Sequence, residues 1–419
     1  MNRAMKDSGI EWIGEIPQEW EVIRVKNKYT NHKDIVGDFA EDYERLALTL
    51  NGVLKRSKDD SEGLQPESFK SYQILREKEL VFKLIDLENV STSRVGLSPF
   101  IGIVSPAYII INNPEESAYG KYYFLSLWQR EVFNHLGGDG VRSALNAKDL
   151  LKLPYLNVPS STQELITDYL DNKCKEIDSI IENTKSTIEE YKKYKYAIIA
   201  DIVTNGLAKN VAFRNSGVDW IGDIPGNWDV IKLKFLFSIK KEIANKLGYD
   251  ILSVTQKGLK IKDISNNEGQ ISSDYSKYQI VEPKDFVMNH MDLLTGWVDC
   301  SSFSGVTSPD YRVFKLDDES KAIREYFLYI FQLCYKHRVF YGLGQGVSNM
   351  GRWRLQTDKF INFEVPLPPI EEQKSIVKYL NGKCSKIDNL ISRKQKILAE
   401  LESYKKSLIY ECITGKLEV

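Results

Sequence analysis

The residues best spaced for chemistry lie late in the chain, where Pro309-Asp310 is followed by Glu319-Ser-Lys321. Two carboxylates and a lysine in that order match a metal-dependent nuclease pattern, in which the acids hold magnesium and the lysine assists the attacking water. A similar block earlier in the chain puts Ala107, Glu116 and Ala118 at the aligned positions, so the frame persists there without the chemistry. Cys334 and His337 have ligand-like spacing, but no second pair completes a tetrahedral site, and packing is the better reading. The remaining cysteines, Cys174, Cys300, Cys384 and Cys412, are scattered without a C-x-x-C pair, which argues against a disulfide framework or a zinc module. Base methylation would need a cofactor loop and an Asn/Asp-Pro-Pro-aromatic motif. Asn113-Pro114-Glu115-Glu116 lacks the second proline and the aromatic, and Gly342-Leu-Gly-Gln-Gly346 runs into Val347 where a dinucleotide fingerprint would differ. Four histidines do not assemble a Ser/His/Asp triad. The expectation is a chain with no catalytic residue, no metal site and no cofactor of its own.

The elements that carry these residues are repeated. Ser8-Gly-Ile-Glu-Trp-Ile-Gly-Glu-Ile-Pro-Gln-Glu-Trp20 returns as Ser216-Gly-Val-Asp-Trp-Ile-Gly-Asp-Ile-Pro-Gly-Asn-Trp228, with both tryptophans and the proline in register. Tyr43-Glu-Arg-Leu-Ala-Leu-Thr with Gly52 matches Tyr249-Asp-Ile-Leu-Ser-Val-Thr with Gly258; Glu62-Gly63 matches Glu268-Gly269, and Tyr72-Gln-Ile-Leu matches Tyr278-Gln-Ile-Val. Gly102-Ile-Val-Ser-Pro-Ala-Tyr108 matches Gly305-Val-Thr-Ser-Pro-Asp-Tyr311. Between these anchors the blocks diverge, as in Lys83-Leu-Ile-Asp-Leu against Asn289-His-Met-Asp-Leu, and the segments after Gly140-Val141 and Gly346-Val347 differ in length. One frame with differing loops implies different ligands of one class. The paired Trp12/Trp20 and Trp220/Trp228 are read as packing anchors.

A long helix follows each block. Ser161 stands three residues before Glu164, a capping-box spacing, and neither proline nor glycine intervenes before Gly206. About 44 residues at 1.5 Å each make a rod of roughly 65 Å. Its seam is a heptad, with Leu170, Ile177, Thr184, Tyr191 and Ile198 on one row and Cys174, Ile181, Ile188, Lys195 and Ile202 on the other. After Pro368-Pro369 the rows recur as Leu380, Ile387, Lys394, Leu401, Leu408 and Cys384, Ile391, Leu398, Lys405, Cys412. Two such seams should pack on each other, and the economical arrangement is antiparallel with one domain at each end. The lysine interruptions leave part of the seam for other proteins, so Tyr191, Lys195, Lys394 and Lys405 are the partner-binding candidates.

Bulk properties set the class. A chain of 419 residues calls for at least two domains, and 42% hydrophobic with 27% charged residues is ordinary for globular protein. The richest apolar run, Tyr326 to Tyr335, is too short to cross a bilayer, and Met1 to Gly9 lacks the apolar core of a signal peptide, so a cytoplasmic protein is expected. Net charge is -1, with about 17 basic against 19 acidic residues over 21–150 and about 19 against 16 over 229–360. If nucleic acid is bound, partner subunits must supply much of the positive charge.

The Trp-Ile-Gly-Glu-Ile-Pro-x-x-Trp openings, Ser-Pro-x-Tyr in each block, Pro159-Ser-Ser-Thr-Gln-Glu164 with its counterpart Pro369-Ile-Glu-Glu-Gln373, and long helices ending in Thr204-Asn-Gly-Leu and Thr414-Gly-Lys-Leu together resemble the specificity subunit of type I restriction-modification systems over nearly the whole chain. The resemblance implies two mixed α/β (α+β) target-recognition domains separated by two long antiparallel helices forming a coiled coil, with an internal pseudo-two-fold duplication. The corresponding boundaries are a repeat segment at 1–20, the first recognition domain at 21–155, the central helix at 156–207, a second repeat segment at 208–228, the second recognition domain at 229–365 and the last helix at 366–419. It further implies double-stranded DNA with a bipartite target, two adenine methyltransferase subunits that use S-adenosylmethionine, and restriction subunits bound through them. Base edges need forked or amide donors such as Arg for guanine and Asn or Gln for adenine. In the divergent loops the candidates are Lys55, Arg56, Lys58, Arg94, Arg142, Asn146 and Lys148 in the first domain. In the second they are Lys260, Lys262, Asn289, His290, Gln345, Asn349, Arg352 and Arg354. A different class, a coiled-coil adaptor without DNA readout, would show no sequence-selective binding with any partner.

Overall fold

The computed structural model describes residues 3–60, 66–87, 94–136, 144–208, 210–262, 275–345 and 353–419. The chain divides into two compact units, Met1–Lys185 with Lys396–Val419, and Ser186–Gln395. Each long helix, Ser160–Asn205 and Ile370–Ile413, therefore gives one half to each unit.

In the first unit a four-stranded antiparallel sheet runs in the order Thr30–His32, Ile109–Asn112, Leu80–Lys83, Arg94–Leu97. The inner strands Leu80–Lys83 and Ile109–Asn112 are apolar on both faces, because the Ser117–Gln129 helix covers one side and the Leu46–Thr49/Gly52–Lys55 hairpin the other. The second unit repeats the order as Phe237–Lys240, Arg312–Leu316, Phe286–Met288, Val298–Cys300, with the helix Arg324–Lys336 and the hairpin Leu252–Thr255/Gly258–Ile261. Glycine is required at that hairpin turn: Gly258 has φ +101°, and a Cβ there would lie 2.7 Å from Asp299 Oδ2.

The expected seam is present in each unit. Leu170, Cys174, Ile177, Thr184 and Ile188 are buried on the first helix, and Leu380, Cys384 and Ile387 on the second. Toward the C-terminal end of each helix the expected Ile202, Leu408 and Cys412 stay buried and the stripe widens by one residue, to take in Ile199 and Val203 and Ile409 and Ile413. An uncoiled helix turns every 3.6 residues and drifts off a strict heptad in that direction.

Direction follows from the cross-helix pairs. In the second unit Lys195 binds Asp388 while Gly206, eleven residues on, lies against Glu372; in the first, Asp178 binds Lys405 and Lys185 lies 3.7 Å from Glu402. Both pairings are antiparallel. Lys195–Asp388 and Lys405–Asp178 are the same ion pair at an offset of about 210 positions, each at 2.6 Å. Such half-exposed pairs contribute up to about 1 kcal/mol. Reversing Asp388→Lys should lower the melting temperature of the second unit, and adding Lys195→Asp should recover most of the loss; additive losses on calorimetry would deny the pairing.

Helix capping departs from expectation at one point. The first long helix begins at Ser160, and the side chain reaching back is the buried Gln163, whose Nε2 donates to Val158 O at 2.9 Å, in place of a Ser161/Glu164 box. Gln373 repeats this with Pro368 O at 2.9 Å and also accepts from Ile323 N. A buried amide must find acceptors, and the backbone just before the helix offers them.

The tryptophans anchor the helix ends. Trp20 is fully buried beside Gly415, and Trp228 packs at Gly206 while its Nε1 donates to Glu372 Oε2 at 2.9 Å. Gly206 and Gly415 have φ +74° and +69°, the left-handed turn that ends a helix. Among the described residues no helix is long and apolar enough to cross a membrane.

Candidate nucleic-acid interface

In both repeats the chain leaves the central strand of the four-stranded sheet at the same edge, and polar side chains collect there. In the first, Lys83 stands in register with Arg94 on the neighbouring strand. Partial burial and the facing guanidinium pull the Lys83 ammonium below its ordinary value, and Asp86 opposes them. Arg94, Arg45 and Arg56 surround the half-buried Tyr108, whose hydroxyl burial pushes upward. Cations held side by side at a sheet edge suit a phosphate group.

The other first-repeat candidates have structural commitments. Lys55 pairs with Glu44 at 2.7 Å and lies over the Phe100 ring; Arg56 binds Asp60 at 2.6 Å; Lys58 donates to Ala40 O and Glu41. Exposed pairs of this kind are worth under about 1 kcal/mol, so a phosphate can exchange with the carboxylate. Asn146 caps the Ala147–Lys152 helix, accepting from Lys148 N at 2.9 Å and Asp149 N at 3.1 Å, which uses its carbonyl locally and leaves the Lys148 side chain exposed. Arg142 lies outside the described residues.

The second repeat is more concentrated. Gln345 and Arg354 exchange two backbone hydrogen bonds of 3.1 Å, and the next residue, Leu355, donates its N–H to His290 O at 2.9 Å. Asn289 accepts on Oδ1 from Met291 N, and its carbonyl accepts from Tyr335 Oη at 2.7 Å. His290, Asn289, Gln345 and Arg354 thus share one edge, with Trp353 against the Tyr341 ring. Lys260 projects from the Gly258–Ile261 strand, and Lys262 follows it, its N–H bound to Ile251 O. Asn349 and Arg352 lie outside the described residues. Arg312, Lys83 and Arg45 were missing from the sequence candidates. The first two had a usable signal, since Arg312 follows Ser-Pro-x-Tyr and Lys83 opens a divergent segment.

Burial, then the charges of Arg312 and Arg354, hold the His290 imidazole down to about 3. The unfolded chain binds a proton near pH 6.5 where the folded one does not, so stability is complete above that pH and falls as pH drops below it. His290→Leu, which copies Leu84 of the first repeat, should reduce the stability lost between pH 7 and pH 5 by ~1 kcal/mol. Chemical denaturation at the two pH values checks this, and an unchanged difference would contradict it.

The residues of the nuclease pattern do not converge. Glu319 pairs with Arg324, Lys321 pairs with Asp318, and Asp310 binds its backbone N–H to Ser308 Oγ. Cys334 is sealed in the core while His337 is exposed beyond the helix end. On the helices, Lys195 and Lys405 are committed to their ion pairs, and Tyr191 and Lys394 are half-buried. The exposed large apolar residues there are Leu165, Ile180 and Tyr194 on the first helix and Tyr379, Leu390, Ile397 and Tyr404 on the second.

Fold and edge define a class: a duplicated, mixed α/β protein whose repeats each present a polar, cation-bearing sheet edge beside half of a helix pair. Residues 225–403 match the family described as Type I restriction modification DNA specificity domain. The chain is 24% identical to the Type I restriction enzyme MjaVIII specificity subunit of Methanocaldococcus jannaschii, covering 96% of this chain and 94% of that one. It is 24% identical to the Type I restriction enzyme EcoBI specificity subunit of Escherichia coli over 64% of this chain and 58% of the other. A chain from a structure describing complex assembly and conformational transition of the type I R-M system superposes with TM-score 0.68 at 13% identity, covering 96% of this chain and 99% of that one. The chain is thus similar over nearly its whole length to type I restriction enzyme specificity subunits, in the direction its repeated motifs indicated, and the adaptor alternative is not favoured.

Proposed function

We propose that each repeat reads one half of a bipartite DNA target, that the helix pair sets the spacing between the halves and docks two methyltransferase subunits, and that restriction subunits join through them. The observation that carries this reading is the recurrence of one sheet edge with different side chains: Lys83 and Arg94 in one repeat, Asn289 and Arg354 in the other, where His290 is buried behind the edge. A shared frame places both edges alike, and the differing donors suit two different base sequences. The chain itself directs chemistry in this reading, and the methyltransferase partners supply it with S-adenosylmethionine in the cytoplasm.

Partner docking is supported by the exposed apolar residues of the helices, which repeat as Ile180/Leu390 and Tyr194/Tyr404. Equivalent faces suit two copies of one partner. Tyr194→Asp with Tyr404→Asp should weaken methyltransferase assembly at least tenfold while moving the melting temperature little. Co-purification at unchanged yield would contradict the docking face. Removing one heptad from each helix should change the target spacing; retained spacing with intact binding would contradict its role as a ruler.

A further inference from the structure

We propose that Arg312 is the positioning residue for DNA readout by the second repeat, fixing Arg354 through the backbone of Leu355; this rests on the reading function proposed above. Arg312 starts the Arg312–Leu316 strand and is 4% exposed, with no ion-pair partner among the described residues. Its guanidinium donates to Leu355 O at 2.9 Å, reaches Thr357 Oγ1 at 3.5 Å and lies over the Phe360 ring at 4.6 Å. A buried guanidinium without a carboxylate is costly, and an apolar residue would fill the space more cheaply. The first repeat does so, with Ile109 at the aligned position.

Leu355 is consequently held from both sides. Its N–H is bound by His290 O and its carbonyl by Arg312, while Arg354, one residue earlier, is tied to Gln345 by both backbone groups. In the first repeat Leu145 N donates to Leu84 O at 3.1 Å, the same first grip, and Ile109 at the position of Arg312 has no donor to supply the second. His290 adds a buried Nδ1 without a partner among the described residues where the first repeat has Leu84, so polar groups stand at two positions that are apolar in the first repeat, both behind the exposed Arg354. A guanidinium discriminates guanine only when both donors arrive in the plane of the base, so the backbone that launches it must be fixed.

The test uses the chain assembled with its methyltransferase subunits and DNA carrying single-base changes in either half-site. Arg312→Met should lower the preference for the second half-site at least tenfold and leave that for the first unchanged, and Arg312→Lys, which keeps the charge and one donor, should recover part. If Arg312 acts through Arg354, the double variant with Arg354→Ala is no worse than Arg354→Ala alone. Parental preference in Arg312→Met, or additive losses in the double variant, overturns the positioning role and leaves the reading function standing. A parent assembly with no preference at either half-site overturns both. Should Arg312→Met fail to assemble, the same cycle with Arg312→Lys decides the question.

Discussion

Trp20→Ala is expected to destabilise the first unit by roughly 3–5 kcal/mol, the cost of emptying a large buried aromatic site. Trp20 has no exposed surface and meets the turn at Gly415, so its loss frees the end of the second long helix from the opening segment. Trp228→Ala should do the same to the second unit at Gly206. Phenylalanine separates packing from hydrogen bonding. Trp228 Nε1 serves Glu372, whereas Trp20 Nε1 is buried without a partner among the described residues, so Trp228→Phe should cost about 1 kcal/mol more than Trp20→Phe. Denaturant titrations of the four variants check the order; equal losses for the two phenylalanine variants would contradict it.

The second large effect falls on the helix seam. Leu170→Ala and Leu380→Ala each remove a fully buried side chain and should cost about 2–5 kcal/mol. Ile180→Ala and Leu390→Ala alter exposed positions on the same helices and should stay within about 0.5 kcal/mol. A loss at Ile180 as large as that at Leu170 would mean that the helices meet on a different face.

The duplication and the seam were legible because both are periodic: an aligned Trp-Ile-Gly or a leucine every seventh residue is visible without knowing which residues meet. Where Ile199 and Val203 join the heptad's Ile202 in the core, helix geometry supplied the information. The antiparallel pairing was expected, but where each helix divides between the two units was hidden, since it depends on pairs such as Lys195 with Asp388, distant in the chain. Among the site candidates, Asn146 looked like an adenine reader because its type suits that role, but the two N–H groups after it already use its carbonyl. Arg312 was overlooked for the converse reason. Its value lies in what it holds, Leu355 O, and no local pattern records that contact.

The central claim is that this chain gives partner methyltransferases a two-part DNA address. Mapping methylated adenines across genomic DNA, in cells with its methyltransferase partners and with this gene present or absent, tests that most directly. The account predicts one split motif, methylated only when the gene is present, whose second half changes when residues 229–365 are exchanged for those of a relative. An identical methylation pattern in both cells would contradict it.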